Sequence, residues 1–255
     1  MIRRFAIVAI CGLVVCVVCL VAAAAVGGKA LRDSGFNFAS LRDSNFNLFD
    51  MLSDRPRCDY NGSDQQGSRS LAWTGDDGVS IELPANVHYR PGSGDQVVIT
   101  GNNSLIAHVR IRKDSIRLDC RGLDSEEGID ITLPGRVFHR FNLAGTGNLT
   151  LEAIDQPELR ISLAGAGTVE ASGKTDDLDI DMAGASHARL GTLAAGRVKI
   201  RMAGANNAEI APRDYLNVQI AGVGDVKLLT EPQKIESEIA GAGHIIHPTA
   251  LDKSL

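Results

Sequence analysis

The stretch Ala144-Gly145-Thr146-Gly147 recurs as Ala164-Gly165-Ala166-Gly167, Ala183-Gly184-Ala185-Ser186, Ala203-Gly204-Ala205-Asn206, Ala221-Gly222-Val223-Gly224 and Ala240-Gly241-Ala242-Gly243. The leading alanines stand 20, 19, 20, 18 and 19 positions apart. A fixed period near nineteen marks a stacked-repeat architecture. Aligning the copies on their Ala sorts the apolar residues into columns. One place before it stand Leu143, Leu163, Met182, Met202, Ile220 and Ile239, and three before it Phe141, Ile161, Ile180, Ile200, Val218 and Ser237. Five places after it come Leu149, Val169, Ala188, Ala208, Val226 and Ile245, and seven after it Leu151, Ala171, Leu190, Ile210, Leu228 and His247. Polar residues fill the places between, so each copy reads as two short strands with one buried face.

The tetrapeptide falls between the two strands. There a corner must turn, and a backbone with positive φ is cheap only for Gly or Asn. Gly145, Gly165, Gly184, Gly204, Gly222 and Gly241 are therefore expected as structural corners. The fold expected from this pattern is all-β: a single-stranded parallel β-helix, or β-solenoid, of about 19-residue rungs stacked roughly 4.8 Å apart. The Leu-x-x-Leu-x-Leu frame of a leucine-rich repeat and the Gly-Gly-x-Gly-x-Asp nonapeptide of a Ca²⁺-binding β-helix are both missing. Upstream, Ser80-Ile81-Glu82-Leu83-Pro84 and Asp130-Ile131-Thr132-Leu133-Pro134 are near-copies, and 96–100, 104–112 and 115–119 also read as strand, with turn signals at 101–103 and 113–114. The span 71–140 is expected to add less regular strands that cap the stack.

Residues Phe5 to Val26 form an uncharged run of 22, preceded by Arg3 and Arg4. That is long enough to span a bilayer, and the basic flank predicts an N-in, C-out orientation. Ala22 to Ala25 offers Ala-x-Ala cleavage sites, so a signal peptide is the competing reading. Either way the remainder is expected outside the cytoplasmic membrane, anchored in the cell envelope or secreted after cleavage. Three parts follow: 1–28 as membrane anchor or signal peptide, 29–70 as linker, and 71–255 as the β-helix domain. The linker holds a ten-residue duplication, Leu31-Arg32-Asp33-Ser34 and Leu41-Arg42-Asp43-Ser44, carrying Phe36, Phe38, Phe46 and Phe49. It reads either as an interfacial segment with inserted aromatics or as a loose tether.

Residues 29–255 hold all 31 acidic residues but 24 of the 26 basic ones, a net charge of −7. No basic stripe for nucleic acid is present. Of the five cysteines, Cys11, Cys16 and Cys19 lie in the apolar run. Cys58 and Cys120 remain, in a compartment that permits a disulfide, although sequence cannot give their separation.

With these columns in place, the span from about Trp73 to His247 resembles the head domain of the putative autotransporter adhesins, the GIN-domain family of bacterial exported proteins. The resemblance rests on Asp95-Gln96-Val97-Val98-Ile99-Thr100-Gly101, on Leu118, on Ile131-Thr132-Leu133-Pro134 and on the six copies. Many members write Ser-Gly-x-Gly where this chain writes Ala-Gly-x-Gly. The resemblance implies a β-helical exported domain and no established chemistry. With eight residues beyond His247, the C-terminal outer-membrane barrel of an autotransporter is not expected.

Parallel β-helices also host polysaccharide lyases and glycosidases, whose signature is a pair of carboxylates set for acid/base work. Here the outward charges fall into alternating ladders instead. Thr150, Glu170, Arg189, Glu209 and Lys227 share one column and form the candidate binding face. Asp181 with Arg201, and Asp179 with Lys199, are successive in two others. His244 is placed at a corner and His247 at an apolar-facing position, without a third metal ligand. His88, His108, His139 and His187 are isolated, and no Gly-x-Ser-x-Gly, His-Glu-x-x-His or Cys-x-x-Cys occurs. The expectation is therefore a non-enzymatic, membrane-tethered binding, adhesion or envelope-interaction module without cofactor or metal, whose partner is an envelope glycan or protein. The alternatives are a carbohydrate-active enzyme on an outward face and a structural or sensory ectodomain. Ligand and oligomeric state are not fixed by the sequence.

Overall fold

Period-two alternation of apolar residues gives each segment one face that must be buried, and the strands satisfy it by curling around a single core. The computed structural model describes Cys58 and residues 65–92, 94–120 and 128–248. The segment expected as anchor or signal peptide, the duplication and most of the expected linker lie outside the described residues, while residues 66–70, expected at the linker's end, are strand paired in the sheet, because Gln66–Ala72 find backbone partners along β4. Among the described residues ten strands and one single-turn helix follow in order. They are β1 (Gln66–Ala72), β2 (Gly78–Glu82), β3 (Ala85–Tyr89), β4 (Gln96–Asn102), α1 (Asn103–Ile106), β5 (Val109–Arg112), β6 (Ser115–Leu118), β7 (Asp130–Thr132), β8 (Arg140–Ala205), β9 (Asn207–Leu228) and β10 (Lys234–Ile246). All ten strands belong to one sheet, with β1-β4-β7-β3-β8-β2-β6-β5 along one path and β8-β9-β10 along another.

The sheet is of mixed orientation and barrel-shaped, nearly closed on itself; the expectation of a single-stranded parallel β-helix is corrected. β1 runs antiparallel to β4, β4 antiparallel to β7, and β5 antiparallel to β6. Parallel pairing holds between β2 and β8, β3 and β8, β8 and β9, and β9 and β10. The reason for the difference is local. Alternation marks which residues are buried but carries no strand direction, and two residues suffice to reverse an antiparallel pair. Lys113, at φ 52, and Asp114 make such a reversal between β5 and β6. Residues 104–106, expected as strand, instead lie in α1, which Asn102 caps by accepting from the Ser104 amide at 3.0 Å. The near-copies also separate: Ile81 pairs with Leu143, whereas Ile131 pairs with Val87 and Ile99.

Within the repeat, register is kept copy by copy. Ala203, Gly204 and Ala205 pair with Ala221, Gly222 and Val223, and these with Ala240, Gly241 and Ala242. The columns expected to be buried are buried, from Phe141, Ile161, Ile180, Ile200 and Val218 to Leu149, Val169 and Val226. At the start of the repeat an aromatic cluster closes the core. Phe138 meets Trp73, Tyr89 and Phe141 edge-on at centroid separations of 5.4, 5.6 and 5.9 Å. Buried Tyr89 donates its hydroxyl to the Arg136 carbonyl at 3.0 Å, and burial pushes its pKa up. At the other end the last copy lacks cover: Ile239 and Ile246 are exposed, and so is His247, expected on the apolar side. The loss of the third-place apolar residue, Ser237, marks this end in the sequence.

Among the described residues no helix is long and apolar enough to cross a membrane.

Candidate functional site

Close backbone stacking explains why glycine recurs in every tetrapeptide, and twice in four of the six. Gly165, Gly184, Gly204, Gly222 and Gly241 have φ between 105° and 140°. A Cβ on Gly184 would lie 2.1 Å from the Gly165 carbonyl oxygen, and one on Gly167 would lie 2.1 Å from that of Gly147. The backbones thus stack more closely than side chains permit, which leaves no room in the corners for a ligand. Where the fourth residue is not Gly, its side chain turns inward. Asn206 is buried, accepts from the Ser186 amide at 3.0 Å and donates to the Ala203 carbonyl at 2.9 Å.

The polar columns lie beside the corners. Thr150, Glu170, Arg189, Glu209 and Lys227 stand on successive copies, with Arg189 the register partner of Glu209. Arg189 Nη1 donates to Glu170 at 2.8 Å and Lys227 Nζ to Glu209 at 3.4 Å. All four charged groups are solvent-exposed, so the ladder contributes roughly 0.2–1 kcal/mol per pair. Its charges alternate along a solvent-exposed strip.

The second polar strip precedes each corner and is drier. Arg201 is only 16 % exposed and grips two carboxylates: Nε and Nη2 donate to Asp181, and Nη2 donates to Asp179 at 2.8 Å. Arg160 approaches Asp179 from the preceding copy at 3.6 Å. The expected partnership of Asp179 with Lys199 is replaced by Arg201 and Arg160, because a planar guanidinium fork spans two positions along a strand. Burial pushes the Asp179 pKa up, and Arg201 pulls it back. The hydrogen bond that Arg201 donates to Asp181, ahead of the cost of burial, holds Arg201 further into its charged range. Arg197 forks onto Asp177 at the exposed margin of the same strip. This strip is a charge-balanced clamp between copies. Its carboxylates are held by arginines rather than set across an open cleft as a pair for acid/base chemistry. The sequence shows the alternating signs but not this reach, which depends on side-chain length.

The remaining candidates fall at the ends. Cys58 and Cys120 form a disulfide, with Cα atoms 4.9 Å apart. His108, Asp119 and Cys120 cluster within metal-ligand reach, but the Cys120 sulfur is spent in the disulfide. Asp119 is meanwhile shared between His108 and Arg110, each at 2.8 Å. His244 meets Asp225 at 3.3 Å and His247 meets Glu231 at 3.1 Å, as separate pairs.

Comparison with known proteins agrees with this geometry. Residues 119–232 match the family described as "Putative auto-transporter adhesin, head GIN domain". No curated protein sequence matches the chain. Among solved structures, a putative adhesin from Bacteroides fragilis has a TM-score of 0.55 at 17 % identity, covering 72 % of this chain and 98 % of its own; likeness at that identity shows the fold. A putative lipid binding protein from Parabacteroides distasonis has a TM-score of 0.45 at 13 % identity, covering 74 % of this chain and 98 % of its own. A putative adhesin from Parabacteroides merdae has a TM-score of 0.40 at 11 % identity with the same coverages. Residues 119–232, which hold five of the six repeat copies, are thus similar to the head GIN domain of the putative auto-transporter adhesins.

Proposed function

We propose that this chain is an exported, membrane-tethered, adhesion-like module of the bacterial cell envelope, binding an envelope glycan or protein through a flat polar face without catalytic chemistry of its own. The observation that supports this reading most is the strip Thr150, Glu170, Arg189, Glu209 and Lys227. It runs across successive copies, keeps its four charged side chains in solvent with Thr150 half-buried, and has its charges paired rather than focused on one atom. Such a strip suits recognition of an extended partner by many weak polar contacts. Glycoside cleavage instead needs two carboxylates a fixed distance apart across a cleft. The match of residues 119–232 to the adhesin head family points the same way. Three parts are proposed for the chain: an apolar tether in 1–28, a linker, and the binding domain, which takes in β1 from Gln66 and so begins before residue 71, reached on the outer side of the membrane.

A panel of envelope glycans and peptidoglycan fragments, probed with the full chain and with Glu170→Ala/Arg189→Ala and Glu209→Ala/Lys227→Ala, tests the face. Binding by the parent chain and at least tenfold weaker binding by the paired variants is expected. Unchanged binding by both variants identifies the strip as the wrong face, and release of shortened glycan products would replace the binding reading by a carbohydrate-active enzyme. N-terminal sequencing of the mature protein is expected to begin upstream of Phe5; a start near Lys29 would show a cleaved signal peptide and remove the tether.

A further inference from the structure

In a chain of net charge −5, positive charge gathers at the end of the sheet opposite β10. The β5–β6 hairpin buries Val109, Ile116 and Leu118 toward the core. Its other face carries Arg110, Arg112 and Arg117. Arg110 and Arg117 stand directly opposite each other in the ladder, an arrangement that like charges disfavour. Asp119 accepts Arg110 at 2.8 Å. Glu82, the register neighbour of Arg117 on β2, accepts instead from Ser115 Oγ at 2.7 Å. Among the described residues no carboxylate lies within ion-pair distance of Arg112, Lys113 or Arg117.

Arg69 of β1 adds a further cation. Its Nη1 donates to the carbonyls of Ile106 and Ala107 at 3.2 Å each and of Val109 at 3.4 Å, so among the described residues its charge meets carbonyl oxygens and no carboxylate. Arg69 and Arg110, with Ser68, Asn103, Ile106 and Ala107, line an open cleft of about 460 Å³. Arg110 Nη1 also donates to the Ala107 and Val109 carbonyls while its Nη2 meets Asp119, so a phosphate group in the cleft is met by the remaining N–H groups of the two guanidiniums, with the Ser68 hydroxyl and the Asn103 amide beside them. Chain continuity supplies the occupant. The disulfide ties Cys58, in the segment that follows the apolar run, to Cys120, two residues past the end of β6. This basic end is therefore held close to the part of the chain that leads back to the tether.

The geometry points to a docking surface for an anionic phospholipid bilayer, with Arg69 and Arg110 receiving one headgroup phosphate in the cleft and Arg112 and Arg117 lying along neighbouring headgroups. This rests on the tether reading of residues 5–26, which keeps the bilayer at high local concentration.

The test uses the full chain in nanodiscs of phosphatidylcholine alone or mixed with phosphatidylglycerol, with hydrogen exchange read at residues 103–119. Slower exchange only in the phosphatidylglycerol discs is expected. It should be lost in Arg112→Gln/Arg117→Gln and at high salt, while exchange in β8 and β9 stays unchanged as the folding control. Equal exchange in the two discs overturns the proposal. Protection produced in phosphatidylcholine discs by inorganic phosphate alone makes a soluble anion the occupant and overturns the lipid assignment. A chain that enters neither disc refutes the tether reading alone. Sedimentation with phosphatidylglycerol vesicles then decides the docking surface. Pelleting that the double variant weakens by roughly 25-fold, about fivefold for each charge removed, supports it. Pelleting equal to that with phosphatidylcholine vesicles overturns it.

Discussion

At the residue scale, two positions in the corners carry distinct loads. Gly184 sits at φ 119° with the Gly165 carbonyl oxygen 2.1 Å from where a Cβ would be. Gly184→Val therefore combines backbone strain with a clash against main chain that cannot move aside. It is expected to cost at least about 3 kcal/mol, read as a lower urea midpoint. Asn206 bridges two copies through its buried amide, bonding the Ser186 N–H and the Ala203 carbonyl. Asn206→Ala leaves the Ser186 N–H without its acceptor and is expected to cost about 1–3 kcal/mol. Ser186→Ala should cost less in the same assay, since the hydroxyl reaches the Gly165 carbonyl only at 3.4 Å. Both glycine columns were legible as a spacing. The inward turn of Asn206 was not, because Gly, Ser and Asn look interchangeable at a corner until the packing around the fourth residue is known.

At the scale of paired strands, Arg201 decides whether two adjacent acidic side chains can sit half-buried on β8. Burial raises the Asp179 pKa, so by itself that carboxyl stabilises the folded state below the ordinary carboxylate range and gives up that contribution as pH rises through its folded pKa. Arg201 offsets this at neutral pH. Arg201→Met is expected to cost about 3 kcal/mol near neutrality, with Asp179 and Asp181 ionised side by side. The deficit should shrink on acidification as the two carboxyls protonate. Thermal unfolding across pH checks it; a deficit independent of pH would mean that Arg201 acts through packing alone. The exposed Glu170–Arg189 pair should show no comparable effect on stability, because solvent screens it.

For the molecule as a whole, the Cys58–Cys120 bond closes a separation of 62 residues. In the chain-entropy picture, Cys58→Ser with Cys120→Ser is expected to lower stability by about 4 kcal/mol. Chemical denaturation of oxidised parent and double variant measures it. The same bond fixes the start of the domain against β5, β6 and the basic cleft, so its loss should also loosen hydrogen exchange at residues 103–119 more than in the repeat.

The amino-acid sequence alone determined the repeat: its period, its glycine spacing, its buried columns and the alternation of its outward charges. Each follows from local rules, since a period of two sets the buried face and a positive φ selects glycine. Only the tertiary structure decided how the strands are directed. Burial patterns are the same for parallel and antiparallel neighbours, so 96–118 could not reveal that it folds back antiparallel and gives the sheet its mixed orientation. Tertiary structure also decided which charges meet. Arg201 chose Asp179 and Asp181, and Arg69 came to lie beside Arg110 from 41 residues away. Such meetings depend on side-chain reach and on strand order, neither of which is a property of neighbouring residues in the chain.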